Sequence, residues 1–308
     1  MSKQAWVFPG QGSQTLGMLS ELASEHTIIQ DTFAQASEAL GYDLWDVVQN
    51  DEKKLNQTHI TQPALLAGSC AIYKLLIEKE LSKPAYFAGH SLGEYSALVC
   101  AGVIDFTDAI KLVEARGQYM QQAVHAGTGA MFAIIGLDDD KVVACCEQAQ
   151  VATNEVVAAV NFNSPGQIVI AGNKGAAEIA ANLCKERGAK RALPLAVSVP
   201  SHCALMKPAA EQLSSLLNNI HFHTPKIPVI NNVNVAHPSD PDDIKQALVE
   251  QLYSPVRWTE IVTMLAEFEV EILLEVGPGK VLTGLTKRID KRLSCTAINT
   301  LDSVNSLI

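Results

Sequence analysis

The sequence predicts an α/β protein in which a large body with a parallel sheet carries a small inserted domain. Two observations indicate this class. Apolar runs of strand length alternate with helical patterns in the first and last parts of the chain, as in a parallel sheet covered by helices. In the middle the order changes to β-α-β-β-α-β, which is the order of a ferredoxin-like module. We therefore predict a large domain over residues 1–126 and 198–308, and a small inserted domain over residues 127–197.

Strands and helices alternate along the first block of the chain. The predicted elements are a strand over 5–8, a helix over 62–80, a strand over 85–88, a helix over 94–100 and a helix over 106–124. Thr61 and Pro63 are typical of a helix start, as cap and first-turn residue. Asp105 and Asp108 have the spacing of a capping box at the start of the last of these helices.

The middle and last blocks complete the two domains. The middle block has predicted strands over 129–137, 156–162, 167–171 and 191–197, and helices over 138–149 and 174–187. The last block has predicted helices over 204–217, 242–252 and 280–288, and strands over 227–231 and 271–276. The cleft between the two domains is the default position for a functional site.

Composition and charge restrict the classes of function. The 308 residues carry a net charge of −10, which argues against a nucleic-acid-binding surface because such surfaces are basic. The start of the chain has one lysine and a very short apolar run, so neither a signal peptide nor a membrane anchor is predicted. We predict that no apolar segment reaches membrane-spanning length. The seven cysteines are odd in number and lie mostly in apolar helix-like stretches, as expected for a reduced, cytoplasmic protein.

The most informative motif is Gly89-His90-Ser91-Leu92-Gly93, between an apolar strand and a helix. A serine in a sharp strand-to-helix turn, with a glycine two residues away on each side, is typical of a nucleophile elbow. Side chains at positions 89 and 93 would collide with neighbouring backbone. The helix that follows directs free N–H groups and its positive dipole end at an oxyanion on the serine. The motif predicts a reactive Ser91 in an α/β-hydrolase-like body; a glycine-rich turn with a structural serine is the alternative.

A serine hydroxyl needs a base within hydrogen-bond reach to act as a nucleophile near neutral pH. Among the eight histidines, position favours His202, which lies where the inserted domain returns to the large body. A structural histidine with satisfied hydrogen bonds is the alternative there. His221 and His223 alternate as on a strand, but two histidines without a third ligand are weak evidence for a metal, and no metal site is predicted.

Arg116 lies on the apolar stripe of the helix over 106–124, which is an unusual place for a guanidinium. A buried guanidinium without a partner is very costly, so Arg116 must meet an anion. A protein carboxylate such as Glu94 or Glu275 is one partner. A substrate carboxylate held by the bidentate fork of the guanidinium is the other, and both stay open.

Two further segments carry candidate functions. The loop Gly10-Gln11-Gly12 lacks the spacing of a dinucleotide fingerprint, and its better use is a backbone N–H for an oxyanion hole, beside the N–H after the serine. Cationic side chains collect around the predicted last helix, where an ordinary solvated face and a docking site for an acidic partner are both open. These side chains are Lys280, Lys287, Arg288, Lys291 and Arg292.

Several motifs in order resemble the acyltransferase family of fatty-acid synthesis, and the likeness runs along nearly the whole chain. They are Phe8-Pro9-Gly10-Gln11-Gly12-Ser13-Gln14, Gly41-Tyr42-Asp43-Leu44-Trp45, Gly89-His90-Ser91-Leu92-Gly93-Glu94-Tyr95-Ser96-Ala97, Asn161-Phe162-Asn163-Ser164-Pro165-Gly166, Val199-Pro200-Ser201-His202 and Glu275-Val276-Gly277-Pro278-Gly279-Lys280. The resemblance implies transfer of a malonyl group from malonyl-CoA to the phosphopantetheine thiol of acyl carrier protein, through a malonyl-serine ester. A serine esterase or thioesterase with the same elbow is the alternative, and acceptance of methylmalonyl groups stays open.

The resemblance also implies roles for residues around the elbow. Ser91 would carry the malonyl ester, and His202 would be its base. Arg116 would clamp the free carboxylate of the malonyl group. The backbone N–H groups of Gln11 and Leu92 would form the oxyanion hole.

Further roles are implied outside the elbow. A main-chain carbonyl near Gln251 would orient the histidine in place of a carboxylate, and Gln251 and Asn163 would contact the substrate. The carrier protein would dock at Lys280, Lys287 and Arg288. The coenzyme A thioester is the substrate rather than a bound cofactor. We expect a monomer with no metal, no nucleic acid and no membrane.

Overall fold

The chain folds around two sheets, and the structure, a computed structural model, describes residues 2–196 and 199–307. The large body begins with β1 (Gln4–Phe8), α1 (Ser20–Glu25), α2 (Thr27–Leu40), α3 (Leu44–Asn50), α4 (Glu52–Leu55), α5 (Thr58–Glu78), β2 (Tyr86–Gly89), α6 (Leu92–Cys100) and α7 (Phe106–Gln122). The inserted part has β3 (Gly129–Ile135), α8 (Asp139–Thr153), β4 (Val157–Ser164), β5 (Gln167–Asn173), α9 (Lys174–Glu186) and β6 (Arg191–Pro194). The large body resumes with α10 (Lys207–Leu217), β7 (Val229–Ile230), α11 (Pro241–Gln251), α12 (Trp258–Glu267), β8 (Ile272–Val276), α13 (Val281–Ile289), β9 (Ser294–Ile298) and α14 (Leu301–Asn305). The domain boundary predicted between 197 and 198 lies outside the described residues.

A five-stranded parallel sheet in the order β7-β2-β1-β8-β9 forms the centre of the large body. β1 and β2 lie side by side, with Phe8 opposite Gly89. Because the strands are parallel, the loops that follow both of them meet at the carboxyl edge of the sheet, the usual place for a ligand in such folds. The register therefore brings residues 10–12 next to the elbow at Ser91.

Both faces of the parallel sheet are covered, as the alternating fold class predicts. Trp6 and Phe8 of β1 pack into one buried apolar cluster, whereas Ala5 and Val7 pack into a second cluster on the opposite face. Successive side chains of a strand point to opposite faces, so β1 contributes to both cores. A strand buried on both sides reads as a continuous apolar run, which is how it was found in the sequence.

The inserted part is a four-stranded antiparallel sheet in the order β4-β5-β3-β6, with α8 and α9 packed against one face. Ile168 and Ile170 face those helices, whereas Val169 faces the large body in a small cluster that includes Cys203. The edge strand β4 also touches the large body, because Val256 N donates to Val160 O at 2.8 Å. The predicted ferredoxin-like module is confirmed, and one face of its sheet is turned towards the elbow.

Helix α5 corrects two predictions. It begins at Thr58 rather than 62, so Pro63 lies inside the helix instead of in its first turn, and the carbonyl of His59 has no N–H at position 63 to bond. By length and composition α5 could cross a membrane, with a mean hydropathy of 1.4 over an 18-residue window, so the prediction that no segment reaches that length is wrong. Of that window, 83% is buried inside the fold, which is typical of a core helix that is apolar on all sides.

Other boundaries differ in smaller ways. Asp105 precedes α7, but its side chain makes no capping hydrogen bond, so the predicted capping box is wrong. The strand predicted over 191–197 ends at Pro194, and Val197 lies outside the described residues. The helix predicted from 204 begins as a 3-10 turn, because Pro208 has no N–H for the carbonyl of Ala204 and fits only the first turn of α10. The cationic helix α13 is followed by β9 and α14, so it is not the last helix.

All seven cysteines are unpaired and buried. Burial raises the pKa of Cys203 and of Cys295 to about 11 each, and raises the pKa of Cys146 to about 12. Buried thiols of this kind stay protonated at neutral pH and act as small apolar side chains.

Candidate active site

The elbow at Ser91 has the strained geometry that its glycines predict. Ser91 has φ 52° and ψ −107°, between the end of β2 and the start of α6. A Cβ atom on Gly89 would lie 1.9 Å from the carbonyl carbon of Gly93, and one on Gly93 would lie 2.0 Å from the carbonyl oxygen of Phe8. Neither position can hold a side chain, so both glycines are required for the turn to pack against β1.

Asn232 holds the elbow from the neighbouring strand, and the sequence analysis missed it. The Ser91 N–H donates to Asn232 Oδ1 at 2.7 Å, and Asn232 Nδ2 donates to Gly89 O at 2.7 Å. One amide side chain thus satisfies both sides of the turn. The available signal was its position two residues after β7, at the same carboxyl edge of the sheet as the elbow.

Ser91 and His202 lie within hydrogen-bond reach. Ser91 Oγ is 2.8 Å from His202 Nε2, and His202 Nδ1 is 2.7 Å from the main-chain oxygen of Gln251. A carbonyl only accepts, so Nδ1 carries the proton and Nε2 is left to accept from the serine hydroxyl. Burial and the charge of Arg116 lower the pKa of His202 to about 3, so the imidazole is neutral at neutral pH. A neutral imidazole fixed in this tautomer can remove the proton from Ser91.

Arg116 is buried beside this pair without a carboxylate partner. Its side chain donates from Nη1 to Gln62 Oε1 at 2.7 Å, from Nη2 to Gln251 Oε1 at 3.0 Å, and from Nη2 to Ser91 Oγ at 3.4 Å. The ion pairs within 4 Å in the described chain involve other residues, so neither predicted protein partner, Glu94 or Glu275, pairs with it.

The carboxyl of Glu275 instead accepts from the first turn of α13, at Leu282 N and Thr283 N. Glu94 hydrogen-bonds to amides and lies too far away for an ion pair with Arg116. Among the described residues, the buried Arg116 guanidinium therefore has amide and hydroxyl partners but no carboxylate.

The two residues predicted to form an oxyanion hole, Gln11 and Leu92, both lie beside the elbow. Leu92 is the first residue of α6, and Gln11 lies in the loop after β1; both line the same cavity as Ser91. Neither N–H has a hydrogen-bond acceptor among the residues that the structure describes. The positive end of α6 adds to their attraction for negative charge near Ser91.

A cavity of about 420 Å³ joins these groups and lies between the two sheets. Its walls come from the loop after β1, the elbow, the inner face of the small sheet and the first turns of α13. Asn163 lines it, and His90 Nε2 donates to Asn163 Oδ1 at 2.8 Å, which leaves the Asn163 NH₂ group for another partner. Larger hollows of about 620 and 600 Å³ lie elsewhere, but neither contains a hydroxyl and an imidazole together.

The cationic residues lie on the helix that closes one side of this cavity. Lys280, Lys287 and Arg288 are exposed on or next to α13, whose Val281 and Leu282 line the cavity. Arg288 Nη1 also donates to Gln167 Oε1 of the small sheet at 2.6 Å. Arg292 lies beyond the helix and pairs with Asp290, so it does not extend the cationic face.

No cluster of three or more histidine, cysteine, aspartate or glutamate side chains within residues 2–196 and 199–307 could hold a metal ion. The histidines at 221 and 223 stack on each other edge to face, with ring centroids 4.4 Å apart, and have no third ligand.

Comparison with known proteins identifies the class. The family model described as the acyl transferase domain matches residues 5–301 of this chain. The chain belongs to this acyltransferase family.

Individual relatives are similar along the full length. A malonyl CoA-acyl carrier protein transacylase from Haemophilus influenzae is 63% identical over 309 residues, which cover 100% of this chain and 98% of that protein. The crystal structure of an acyl carrier protein S-malonyltransferase from Vibrio cholerae has a TM-score of 0.97 and 62% identity, with 100% of both chains covered. A malonyl-transacylase solved in complex with a type II PKS acyl-carrier protein has a TM-score of 0.98 and 57% identity, with 99% of both chains covered.

Proposed function

We propose that this acyltransferase moves a malonyl group from malonyl-CoA to the phosphopantetheine thiol of acyl carrier protein, through an ester on Ser91. The observation that carries the proposal is the position of Ser91 Oγ, 2.8 Å from a neutral imidazole and 3.4 Å from a buried guanidinium that lacks a carboxylate partner. A hydrolase needs the first of these features, whereas the second fits an acyl group that ends in a free carboxylate. The names of the relatives point to the same reaction and not to an esterase.

In the first half-reaction Ser91 Oγ attacks the thioester carbon of malonyl-CoA, and His202 Nε2 takes the hydroxyl proton. The backbone N–H groups of Gln11 and Leu92 hold the oxyanion. The carbon–sulfur bond then breaks, and His202 returns the proton to the thiolate of coenzyme A. The main-chain carbonyl of Gln251 stabilises the imidazolium that exists between these two steps, in place of the carboxylate of a serine–histidine–aspartate triad.

In the second half-reaction the same groups act in reverse order. His202 removes the proton of the phosphopantetheine thiol, the thiolate attacks the malonyl ester, and Ser91 regains its proton as the ester bond breaks. One thioester is exchanged for another of similar energy, so the reaction needs neither a metal nor a bound cofactor. Enclosure of the ester between the two sheets limits its hydrolysis by water.

Arg116 would select the acyl group. Its guanidinium is held by Gln62 and Gln251 and lies against the hydroxyl that becomes the ester, so a carboxylate two carbons from that ester can reach it. Asn163 lines the cavity and would contact the acyl group. Gln251 is fully buried and would act on the acyl group through its hydrogen bond to Arg116. Methylmalonyl carries the same carboxylate, and its acceptance is decided by the space beside the malonyl methylene rather than by the clamp.

The proposal is tested by incubation of the protein with malonyl-CoA and measurement of its intact mass. A malonyl adduct should appear on the wild-type chain and be absent from Ser91→Ala, because no other hydroxyl among the described cavity-lining residues hydrogen-bonds to an imidazole. Ser24→Ala, on the exposed face of α1, should keep the adduct. An adduct that persists in Ser91→Ala would refute the assignment, and rapid release of free malonate without any carrier would favour an esterase.

The carrier protein would dock where α13 meets the cavity. Lys287 and Arg288 are exposed on this helix, and opposite charges across an interface raise the rate of association. Reversal of both charges to glutamate should lower kcat/KM for acyl carrier protein about tenfold or more at low salt while sparing malonyl-CoA. The same reversal at Lys185 and Arg187, on the far side of the small sheet, is the control. Equal effects from the two pairs would contradict docking at α13.

A reducing cytoplasm is the compartment proposed for this activity, in keeping with seven unpaired cysteines. A monomeric state, and the lack of a nucleic-acid or membrane partner, stay predictions.

A further inference from the structure

A buried carboxylate that the proposed mechanism does not use lies one turn beyond Ser91. Glu94 is in the first turn of α6 with 2% of its surface exposed. Its Oε2 accepts from Asn232 N at 2.9 Å and from Gln251 Nε2 at 2.8 Å. No cation of the described chain forms an ion pair with it within 4 Å. Burying a carboxylate without a cation is costly, so its two amide partners are the contacts that retain it.

One of these partners, Gln251, also holds the Arg116 guanidinium. The Gln251 side chain donates from Nε2 to Glu94 and to Ser91 O at 3.2 Å, and accepts at Oε1 from Arg116 Nη2 at 3.0 Å. If this amide rotated by half a turn, its NH₂ group would face the guanidinium and its oxygen would face the carboxyl of Glu94. The carboxyl oxygen therefore favours the one orientation of Gln251 that leaves an acceptor for Arg116.

The other partner, Asn232, holds the backbone of the elbow. Glu94 Oε2 holds the backbone of Asn232, and the side chain of Asn232 holds Ser91 N and Gly89 O. The strained φ of Ser91 persists only where neighbouring contacts enforce it. A single oxygen atom thus reaches both the nucleophile and the carboxylate clamp through two amide residues.

We propose that Glu94 is a positioning residue. Its Oε2 atom holds the Ser91 elbow in place through Asn232 and keeps the Arg116 guanidinium in place through Gln251. This inference rests on the proposed function for the identity of the acyl group. It assigns the effect to the hydrogen-bond acceptor rather than to the negative charge. Burial raises the pKa of Glu94 to about 7, so the carboxyl is partly protonated at neutral pH, and either form keeps an oxygen that accepts from both amides.

The experiment compares Glu94→Gln, which keeps an acceptor oxygen without charge, with Glu94→Met, which removes the acceptor at similar length. Two rates are measured for each variant. The first is acylation of Ser91 by malonyl-CoA relative to acetyl-CoA, which reports the clamp. The second is labelling of Ser91 by a fluorophosphonate, which reports the elbow and needs no acyl-CoA. Glu275→Met, which removes another buried carboxylate whose hydrogen bonds come from Leu282 and Thr283 of α13, is the matched control.

Glu94→Met should lower the malonyl-to-acetyl ratio and the labelling rate by about tenfold or more, the effect of one lost buried hydrogen bond, whereas Glu94→Gln stays within about threefold of wild type. Glu275→Met should lower the free energy of unfolding and leave the malonyl-to-acetyl ratio of acylation rates unchanged. If Glu94→Met does not fold, Glu94→Asp is the substitute, because its side chain is one methylene shorter and its carboxyl oxygen lies farther from both amides. Glu94→Asp should lower the malonyl-to-acetyl ratio and the labelling rate severalfold.

Three outcomes would overturn the proposal: a folded Glu94→Met variant with the wild-type ratio and labelling rate, a Glu94→Gln variant as impaired as Glu94→Met, or an equal loss of ratio in Glu275→Met. Failure of the proposed function looks different. In that case the wild-type chain forms no malonyl adduct, while the fluorophosphonate rates of the Glu94 variants still decide whether Glu94 positions the elbow.

Discussion

Replacement of Arg116 by alanine is the sharpest test of how this site recognises its acyl group. The guanidinium is 2% exposed, and its Nη2 lies 3.4 Å from Ser91 Oγ, so a bound malonyl carboxylate would form two charge-assisted hydrogen bonds with it. Each such bond contributes about 1.5–3 kcal/mol. Two of them amount to about 3–6 kcal/mol, which corresponds to about 10²- to 10⁴-fold in the rate of malonyl transfer.

The assay is quenched-flow acylation of Ser91, read by intact mass, with malonyl-CoA and acetyl-CoA in parallel. Arg116→Ala should lose malonyl transfer by the factor above and change acetyl transfer by less than about tenfold, because acetyl has no carboxylate to bind. Arg116→Lys keeps the charge but not the planar fork, so an intermediate loss is expected. Equal losses for both acyl groups would refute the clamp and leave Arg116 as a structural residue that supports Gln62 and Gln251.

Two further predictions concern the elbow and its base. Gly89→Ala should lower the free energy of unfolding by about 3 kcal/mol or more, since its Cβ would overlap the backbone of α6. Gly284→Ala, which has open space on helix α13, should instead raise the free energy of unfolding by about 0.5–1 kcal/mol. Chemical denaturation of both variants gives the comparison, and a Gly89→Ala variant as stable as wild type would contradict the described turn. Because burial and the Arg116 charge lower the pKa of His202 to about 3, the base form survives as pH falls to 5, and the rate of acylation should not drop through pH 6.5. A drop near pH 6.5 that remains in Glu94→Gln would count against the neutral imidazole.

Much of the fold was predictable because its signals are local. The apolar runs of β1 and β2 and the glycines around Ser91 each report a physical requirement of a few adjacent residues. The order of elements in the inserted part was also readable, since Gly136, Asn154, Gly166 and Gly188 mark the turns between most of its strands and helices. Helix α5 was misjudged because Pro63 is usually a first-turn residue, and only tertiary packing explains its place inside a helix.

The site was predictable only where one residue carries the signal. Ser91 lies in a motif, and Arg116 is a charge on an apolar stripe, so both were visible in the sequence. Asn232 and the side-chain role of Gln251 act through contacts with residues more than a hundred positions away, as in the bonds from Ser91 N to Asn232 Oδ1 and from Gln251 Nε2 to Glu94 Oε2. Such pairs arise from the strand order of the parallel sheet, which spacing along the chain does not reveal.

The burial of every cysteine has a consequence for a protein that handles activated acyl groups. A thiolate on the surface would capture the acyl group from a thioester by simple exchange, and each such event would waste substrate and block the chain. Here the thiols are enclosed, and burial keeps those of Cys146, Cys203 and Cys295 protonated at neutral pH. Burial should therefore suppress self-acylation and leave the acyl group to the thiols of its donor and acceptor.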